Sequence, residues 1–319
     1  MLKSFATITL GCKLNIYKSE AISFSLKENG YIETDDYSKA QVIVINTCTV
    51  TSKAGAKSRN LIRRIANENP KAILVVCGCL VDTDVEELKS ISEISIFVDN
   101  KDKSNIIDAL NKFQENPQNQ YHYENSYDGS FDFQAFDMSK HSRAFVKIQD
   151  GCDNYCSYCK IPYARGHNRS RNYRDIMKES ENIIKNGFNE IIFTGINIGS
   201  YNYNGINFAK LVTMLCKEFV DTRFRISSVE PQLINDEFYE LFKLKNVCSF
   251  VHIPLQSGSR KILKLMERKY SKEEFLEKVE KIREIKKDIF LSTDLILGFP
   301  SEDEEDYLET VDFIKKINF

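Results

Sequence analysis

Three cysteines stand close together in the run Cys152-Asp-Asn-Tyr-Cys156-Ser-Tyr-Cys159, after the apolar segment AFVKI and the turn Asp150-Gly151. Thiolates at such short spacings hold iron–sulfur clusters, and three ligands on a four-iron cluster leave one iron open to a substrate or cofactor. The same thiols could hold zinc if His167 supplied a fourth ligand, or could be buried core cysteines, which a polar loop disfavours. A second set is dispersed. Cys12, Cys48 and Cys79 each fall just past an apolar run, in TITLGC, VIVINTC and LVVCGC. If those runs are parallel strands, their carboxyl ends gather along one sheet edge, where ligands bind, and the three thiols converge on a second open-site cluster. Plain burial is the alternative for this set, and Cys77, Cys216 and Cys248 fit burial well.

The elements that must position these residues can be read from hydrophobic patterning. FATITL, QVIVIN and AILVVC are β-branched runs separated by helical patterns over 17–29 and 56–67, which predicts a small doubly wound parallel sheet. Residues 114–140 are polar, rich in Asn and Gln and without a period, so they read as a linker between a first domain, 1–113, and a second, 141–319. In the second, AFVKI, EIIFTG, RFRISSVE, SFVHIPL and IFLSTDLILG alternate with helical stretches over 174–186, 208–219, 236–244, 259–266 and 272–285. That rhythm predicts a (β/α) barrel or part of one.

A chain of 319 residues suits two domains. Nine cysteines are the unusual feature of an otherwise ordinary composition. The amino-terminal apolar stretch is too brief for an export signal, and the longest apolar run, 72–81, is far short of the roughly 18 residues that span a bilayer. A cytoplasmic protein that uses cysteine for metal rather than disulfides is expected. The net charge of −2 makes no global case for nucleic acid, yet two windows are purely basic: Lys53, Lys57, Arg59, Arg63 and Arg64, then Lys160, Arg165, Arg169, Arg171 and Arg174. Each follows a cysteine motif, where a phosphate-bearing substrate would be held, although a solvated helix face is the plainer reading of either. His252 lies inside a strand pattern and reads as a satisfied core residue. No GxSxG pattern supports a hydrolase.

Cys152, Cys156 and Cys159, with Tyr158 before the last of them, resemble the radical S-adenosylmethionine (SAM) signature. Gly11-Cys12-Lys13-Leu14-Asn15 with Tyr17 and Glu20, Asn46-Thr47-Cys48-Thr49-Val50 and Gly78-Cys79 resemble the auxiliary-cluster domain of the methylthiotransferase family, so the likeness runs over essentially the whole chain. Within the family, Gln149-Asp150-Gly151-Cys152-Asp153, Ile161-Pro162-Tyr163-Ala164-Arg165-Gly166, Thr194-Gly195-Ile196-Asn197-Ile198-Gly199 and Ser227-Ser228-Val229-Glu230-Pro231 are most similar to the branch acting on N6-threonylcarbamoyladenosine in tRNA.

The resemblance implies two [4Fe–4S] clusters, one on Cys12, Cys48 and Cys79 and one on Cys152, Cys156 and Cys159, together with SAM. It implies a methylthio group placed on C2 of the adenosine beside the anticodon: one SAM methylates sulfur held on the auxiliary cluster, and a second yields the 5′-deoxyadenosyl radical that takes hydrogen from C2. Tyr158, Thr194, Gly195, Asn197, Glu230, Gln256, Ser257, Asp294, Gly298 and Phe299 carry over as cofactor contacts at or near strand ends, the active face of a (β/α) barrel. Arg268 would face the cofactor carboxylate or solvent. A tRNA substrate, an electron donor such as a flavodoxin or ferredoxin, and a sulfur donor complete the implied partners, with no membrane. Family members continue past residue 319 into the rest of the radical domain and an RNA-binding β-barrel, so a shortened chain with an exposed sheet edge is expected. The alternatives are a methylthiotransferase of another tRNA adenosine or of a ribosomal protein, a noncatalytic cluster-bearing RNA-binding fragment, and a zinc-binding structural module.

Overall fold

The computed structural model describes residues 3–117, 119–124, 129–132 and 141–319, arranged as two compact units. The first comprises residues 1–141 together with 160–166. Its strands are β1 (Ser4–Thr9), β2 (Ile32–Glu33), β3 (Val42–Thr47), β4 (Ile73–Gly78), β5 (Ile96–Val98) and β6 (Tyr121–Tyr123), and its helices are α1 (Lys13–Glu28), α2 (Ser52–Glu68), α3 (Cys79–Lys89) and α4 (Ile106–Glu115). All strand pairs are parallel, in the order β2-β1-β3-β4-β5-β6. Because both faces are covered by helices, successive strand residues alternate between two cores. Ile43 and Ile45 pack with Ile62, Ile65 and Leu80 on one face, and Val42 and Val44 pack with Ile22, Leu26 and Leu110 on the other.

Two boundaries differ from the sequence expectation. Tyr121–Tyr123, inside the expected linker, pairs with β5 as the edge strand of the first sheet; Tyr123 is buried and its hydroxyl donates to Asp108 of α4, so aromatic burial outweighs the polar surroundings. Residues 118, 125–128 and 133–140 of that span lie outside the described residues. The short helix α5 (Ile161–Arg165), just after the CxxxCxxC loop in sequence, belongs to the first unit, where it packs on α3.

The second unit, 142–159 with 167–319, is a curved parallel βα array. β7 (Ala144–Lys147) is followed by a small antiparallel pair, β8 (Gln149–Asp150) with β9 (Arg169–Ser170). Helix α6 (Tyr173–Lys185) leads to β10 (Glu190–Thr194), and the hairpin β11 (Asn202–Tyr203) and β12 (Ile206–Asn207) leads to α7 (Phe208–Glu218). Then come β13 (Arg223–Arg225), α8 (Asp236–Glu240), β14 (Phe250–His252), α9 (Arg260–Leu265), α10 (Lys272–Ile285), β15 (Phe290–Ser292) and α11 (Glu304–Ile317). The order β7-β10-β13 continues through the bridge Ser228↔His252 into the parallel pair β14-β15, the arc of a partial barrel. Phe290, on the edge strand, is 64% exposed.

Candidate functional site

In the first unit the register decides what meets at the edge. Thr9, Asn46 and Cys77 stand side by side across β1, β3 and β4, so the segments leaving these strands carry Cys12, Cys48 and Cys79 out at one level. Strand order reverses between β1 and β3, and the carboxyl ends flanking such a switch point form a ligand-binding crevice. Cys12 is the N-cap of α1, Cys79 opens α3, and Cys48 lies shortly before α2. The Cys48 thiol is pushed up first by burial and further by the charges of Cys79 and Cys12, against the pull of the Val50 amide and Arg165.

The backbone is shaped to fit these thiols. Gly11 has φ of 101°, and a Cβ there would stand 2.7 Å from Cβ and 2.8 Å from Sγ of Cys48. Gly78 has φ of 106°, and its Cβ would fall 2.4 Å from the Thr47 carbonyl oxygen. Only glycine combines that conformation with that approach. Asn15 staples the edge, donating to the carbonyls of Leu10 (2.8 Å) and Thr47 (2.9 Å). Its Oδ1 accepts from Arg165 of α5 at 3.1 Å. Lys103, wholly buried, donates to Asn46 Oδ1 at 2.7 Å, and Asn100 Nδ2 lies 3.6 Å from Cys79 Sγ.

In the second unit Cys152, Cys156 and Cys159 occupy one loop at the carboxyl end of β7 and β8. Cys156 is buried and the other two are partly exposed. The Cys152 thiol is pushed up by burial and then by Glu230, Cys159 and Cys156. Tyr155 takes a left-handed conformation at φ of 50°, and Cys159 N donates to the Cys156 carbonyl at 2.9 Å, which closes the loop. Below it, Gln149 is a hub that patterning does not reveal. Its Nε2 donates to the carbonyls of Asp150 and Gly151, and its Oε1 accepts from the amides of Ile196 (3.0 Å) and Asn197 (2.7 Å). The cysteine loop and the Thr194–Asn197 turn are therefore tied to one side chain. Lys147 and Asp150, both buried, pair at 2.6 Å beneath the same loop.

The expected cofactor contacts fall into distinct groups. Gly195 packs against Gln149, with room for no Cβ. Asn197 is buried, and its Oδ1 has no hydrogen-bond partner among the described residues, the mark of a site shaped for an absent polar group. Tyr158 and Phe299 meet edge to face at 6.4 Å. Asp294 Oδ2 faces His252 Nε2 at 3.2 Å, and the other ring nitrogen meets Ser292 Oγ at 2.9 Å, so His252 is satisfied as expected. Gln256 adopts φ of 66° and its amide donates to the Asp294 carbonyl; Gly298 turns at φ of 70° with open space about it. Ser257 differs. Its hydroxyl is fully buried against Thr310 of α11 and accepts from Ser259 N, so it locks α11 onto the array.

Arg268 is not at the solvent. Its side chain is 3% exposed and pairs with Glu230, whose carboxyl is pushed up by burial against the pull of Arg268. In the second basic window Arg171 is buried against Glu179 and Arg165 is buried at Asn15, while Lys160 and Arg174 are exposed. In the first window Lys53, Lys57, Arg63 and Arg64 are exposed along α2.

Among the described residues no three Cys, His, Asp or Glu side chains are drawn to metal-bonding geometry. What fits a cluster at each set is the all-thiol donor chemistry, with none of these cysteines in a disulfide. A parallel βα array bearing three cysteines of CxxxCxxC spacing beside its strand ends defines the second unit as a radical SAM domain, and residues 146–314 match the family model for the radical SAM superfamily. Residues 4–99 match a model described as an uncharacterized protein family, UPF0004. The chain is 38% identical over 319 residues to threonylcarbamoyladenosine tRNA methylthiotransferase MtaB of Bacillus subtilis, covering 98% of this chain and 70% of the relative. It is 35% identical to tRNA-2-methylthio-N(6)-dimethylallyladenosine synthase of Aquifex aeolicus, covering 100% and 75%. The solved structure of the radical SAM methyltransferase TsrM from Kitasatospora setae shares the fold, with a TM-score of 0.72 at 15% identity over 100% of this chain and 74% of that one. The chain belongs to the radical SAM methylthiotransferase family and is a transferase, spanning 70–75% of the length of these relatives.

The family brings a [4Fe–4S] cluster and SAM to the second unit; when bound, the pair supplies one-electron cleavage of the sulfonium.

Proposed function

We propose that this chain adds a methylthio group to C2 of N6-threonylcarbamoyladenosine in tRNA, with one [4Fe–4S] cluster on Cys152, Cys156 and Cys159 and a second on Cys12, Cys48 and Cys79. The observation that carries the reading is the pairing of two three-cysteine sets, each at strand carboxyl ends, in a chain 38% identical to a threonylcarbamoyladenosine enzyme. A transferase of sulfur and methyl needs one site that generates a radical and another that stores the group to be transferred. The set Cys12, Cys48 and Cys79, with Cys12 and Cys79 at helix N-termini, suits retention of anionic sulfur.

This chain's residues divide the work. Asn197 Oδ1, Glu230 and Asp294 offer polar contacts to the amino acid and ribose of SAM, while Tyr158 and Phe299 provide an aromatic corner that keeps water from the reacting centre. Thr194, Gly195, Gln256 and Gly298 shape the backbone around it. The exposed cations of α2 hold tRNA phosphates. The electron comes from a flavodoxin or ferredoxin and the sulfur from a separate donor. A cytoplasmic location suits such thiol chemistry, because cysteines stay reduced there. No helix among the described residues is long and apolar enough to cross a membrane. The 35% identity to a dimethylallyladenosine enzyme favours a second reading, in which the isopentenyl base is the substrate.

Anaerobic reconstitution followed by incubation with SAM, a strong reductant and tRNA bearing either modified adenosine tests both. About eight irons per chain and a methylthio mass gain confined to the threonylcarbamoyl nucleoside is the expected result. Gain on the isopentenyl nucleoside alone would replace the first reading by the second, and zinc without iron would overturn both.

A further inference from the structure

The loop that follows α9 reaches the cysteine loop through main-chain and side-chain atoms. Ser157 Oγ donates to the Leu265 carbonyl at 2.8 Å and Ser157 N to that of Met266 at 3.2 Å. Glu267 then takes a left-handed turn at φ of 56°, and Arg268 follows. Its Nη1 lies 3.2 Å from Cys156 Sγ and 3.4 Å from the Tyr158 hydroxyl. Nη2 pairs with Glu230, Nε lies 3.1 Å from the Tyr270 hydroxyl, and the guanidinium stands 4.9 Å over the Tyr270 ring. The fork is thus fixed on three sides while one N–H is aimed at a ligand sulfur.

We propose that Arg268 and Glu230 form a buried charge pair that sets the reduction potential of the cluster on Cys152, Cys156 and Cys159, Arg268 raising it and Glu230 lowering it. The inference rests on the reading that these cysteines hold a cluster. Transfer of one electron from an external low-potential one-electron carrier adds one negative charge to the cluster, with no proton taken up and no bond broken. Potentials of such clusters follow net charge, hydrogen bonds to the sulfurs and exposure. A buried N–H donor on Cys156 stabilises the added charge, and a buried carboxylate beside it opposes that, both in a medium of low dielectric constant where charge acts strongly. Arginine keeps its proton in both redox states, so the effect is a constant bias. Arg268 is therefore a positioning residue for charge, acting through Cys156.

The test uses the full chain with Cys12, Cys48 and Cys79 replaced by alanine, so that one cluster remains, and follows its reduction by electron paramagnetic resonance in a redox titration. Arg268→Gln is expected to lower the midpoint by about 59 mV or more, a tenfold change in the one-electron equilibrium. Glu230→Gln is expected to raise it, and Arg268→Lys, which keeps the charge without the fork, to lower it by less than Arg268→Gln does. If Arg268→Gln fails to retain iron, the opposite signs of Glu230→Gln and Arg268→Lys decide. A parent without about four irons sinks the cluster reading itself. A loaded parent whose variants all titrate at its own potential, or shift it in one common direction, overturns the proposal. So does an unmoved potential with a tenfold weaker affinity for SAM, which would assign Arg268 to the cofactor instead.

Discussion

The two cysteine sets solve one problem by opposite means. In the second unit the three thiols share an eight-residue loop, so the local chain brings them together, and a buried guanidinium and a glutamine hub contact and tether that loop. In the first unit the thiols are 36 and 31 residues apart in sequence, and only the register of β1, β3 and β4 levels them. The first arrangement can survive loosening of its sheet; the second exists only while the sheet is in register. Precision in the first unit comes from backbone, through two positive-φ glycines with no room for a methyl group, and in the second from side chains.

That difference is sharpest when one cysteine is removed from each set. Cys156→Ala is expected to abolish SAM cleavage, whereas Cys48→Ala spares cleavage uncoupled from transfer and loses the methylthio product; 5′-deoxyadenosine and modified nucleoside, measured together, report both. Normal transfer by both variants would erase the division between the units. A smaller effect targets the backbone. Gly78→Ala places a Cβ 2.4 Å and 2.6 Å from main-chain atoms of Thr47 in a conformation alanine resists, and roughly 4 kcal/mol of stability should be lost. Urea unfolding checks it, and a variant as stable as the parent would show that the edge is not held by backbone fit.

The same contrast explains what the sequence disclosed. The CxxxCxxC loop and the βα rhythm were legible because both are local patterns, and α10 begins and ends where the periodicity puts it. Gln149 was visible only as a letter in a motif, since its five hydrogen bonds reach residues 1 to 48 positions away. Arg165 and Arg171 looked like cations offered to phosphate, and Ser257 like a cofactor contact. Partners distant in the chain bury each of them, Arg165 at Asn15 and Ser257 at Thr310 among these. A charge run shows which residues are cationic but not which face they take. Tyr121–Tyr123 was lost inside a polar stretch because a three-residue edge strand carries too short an alternation to register.

The mildest test of the comparison is electrostatic and confined to the first unit. Asp82 of α3 is half-buried near the sheet edge, where it accepts from Asn100 N at 3.1 Å and Asn100 Nδ2 at 2.5 Å. Burial pushes its carboxyl up from 3.8 to about 6, more than the Asn100 hydrogen bond and the nearby Lys103 and Arg165 pull it down. A folded-state value above the unfolded one means that the folded chain binds the proton more tightly. The contribution of Asp82 to stability is therefore greatest below pH 3.8, falls as the pH rises from 3.8 to about 6, and stays lowered above that. The cost at neutral pH is bounded by roughly 3 kcal/mol, less for the water reaching a half-buried group. Asp82→Asn should flatten this dependence between pH 4 and 6.5 in urea midpoints while leaving the loop of the second unit untouched. An unchanged slope would mean that the edge carrying Cys79 is wet enough to screen the carboxylate, and burial as the cause of the raised Asp82 carboxyl would be wrong.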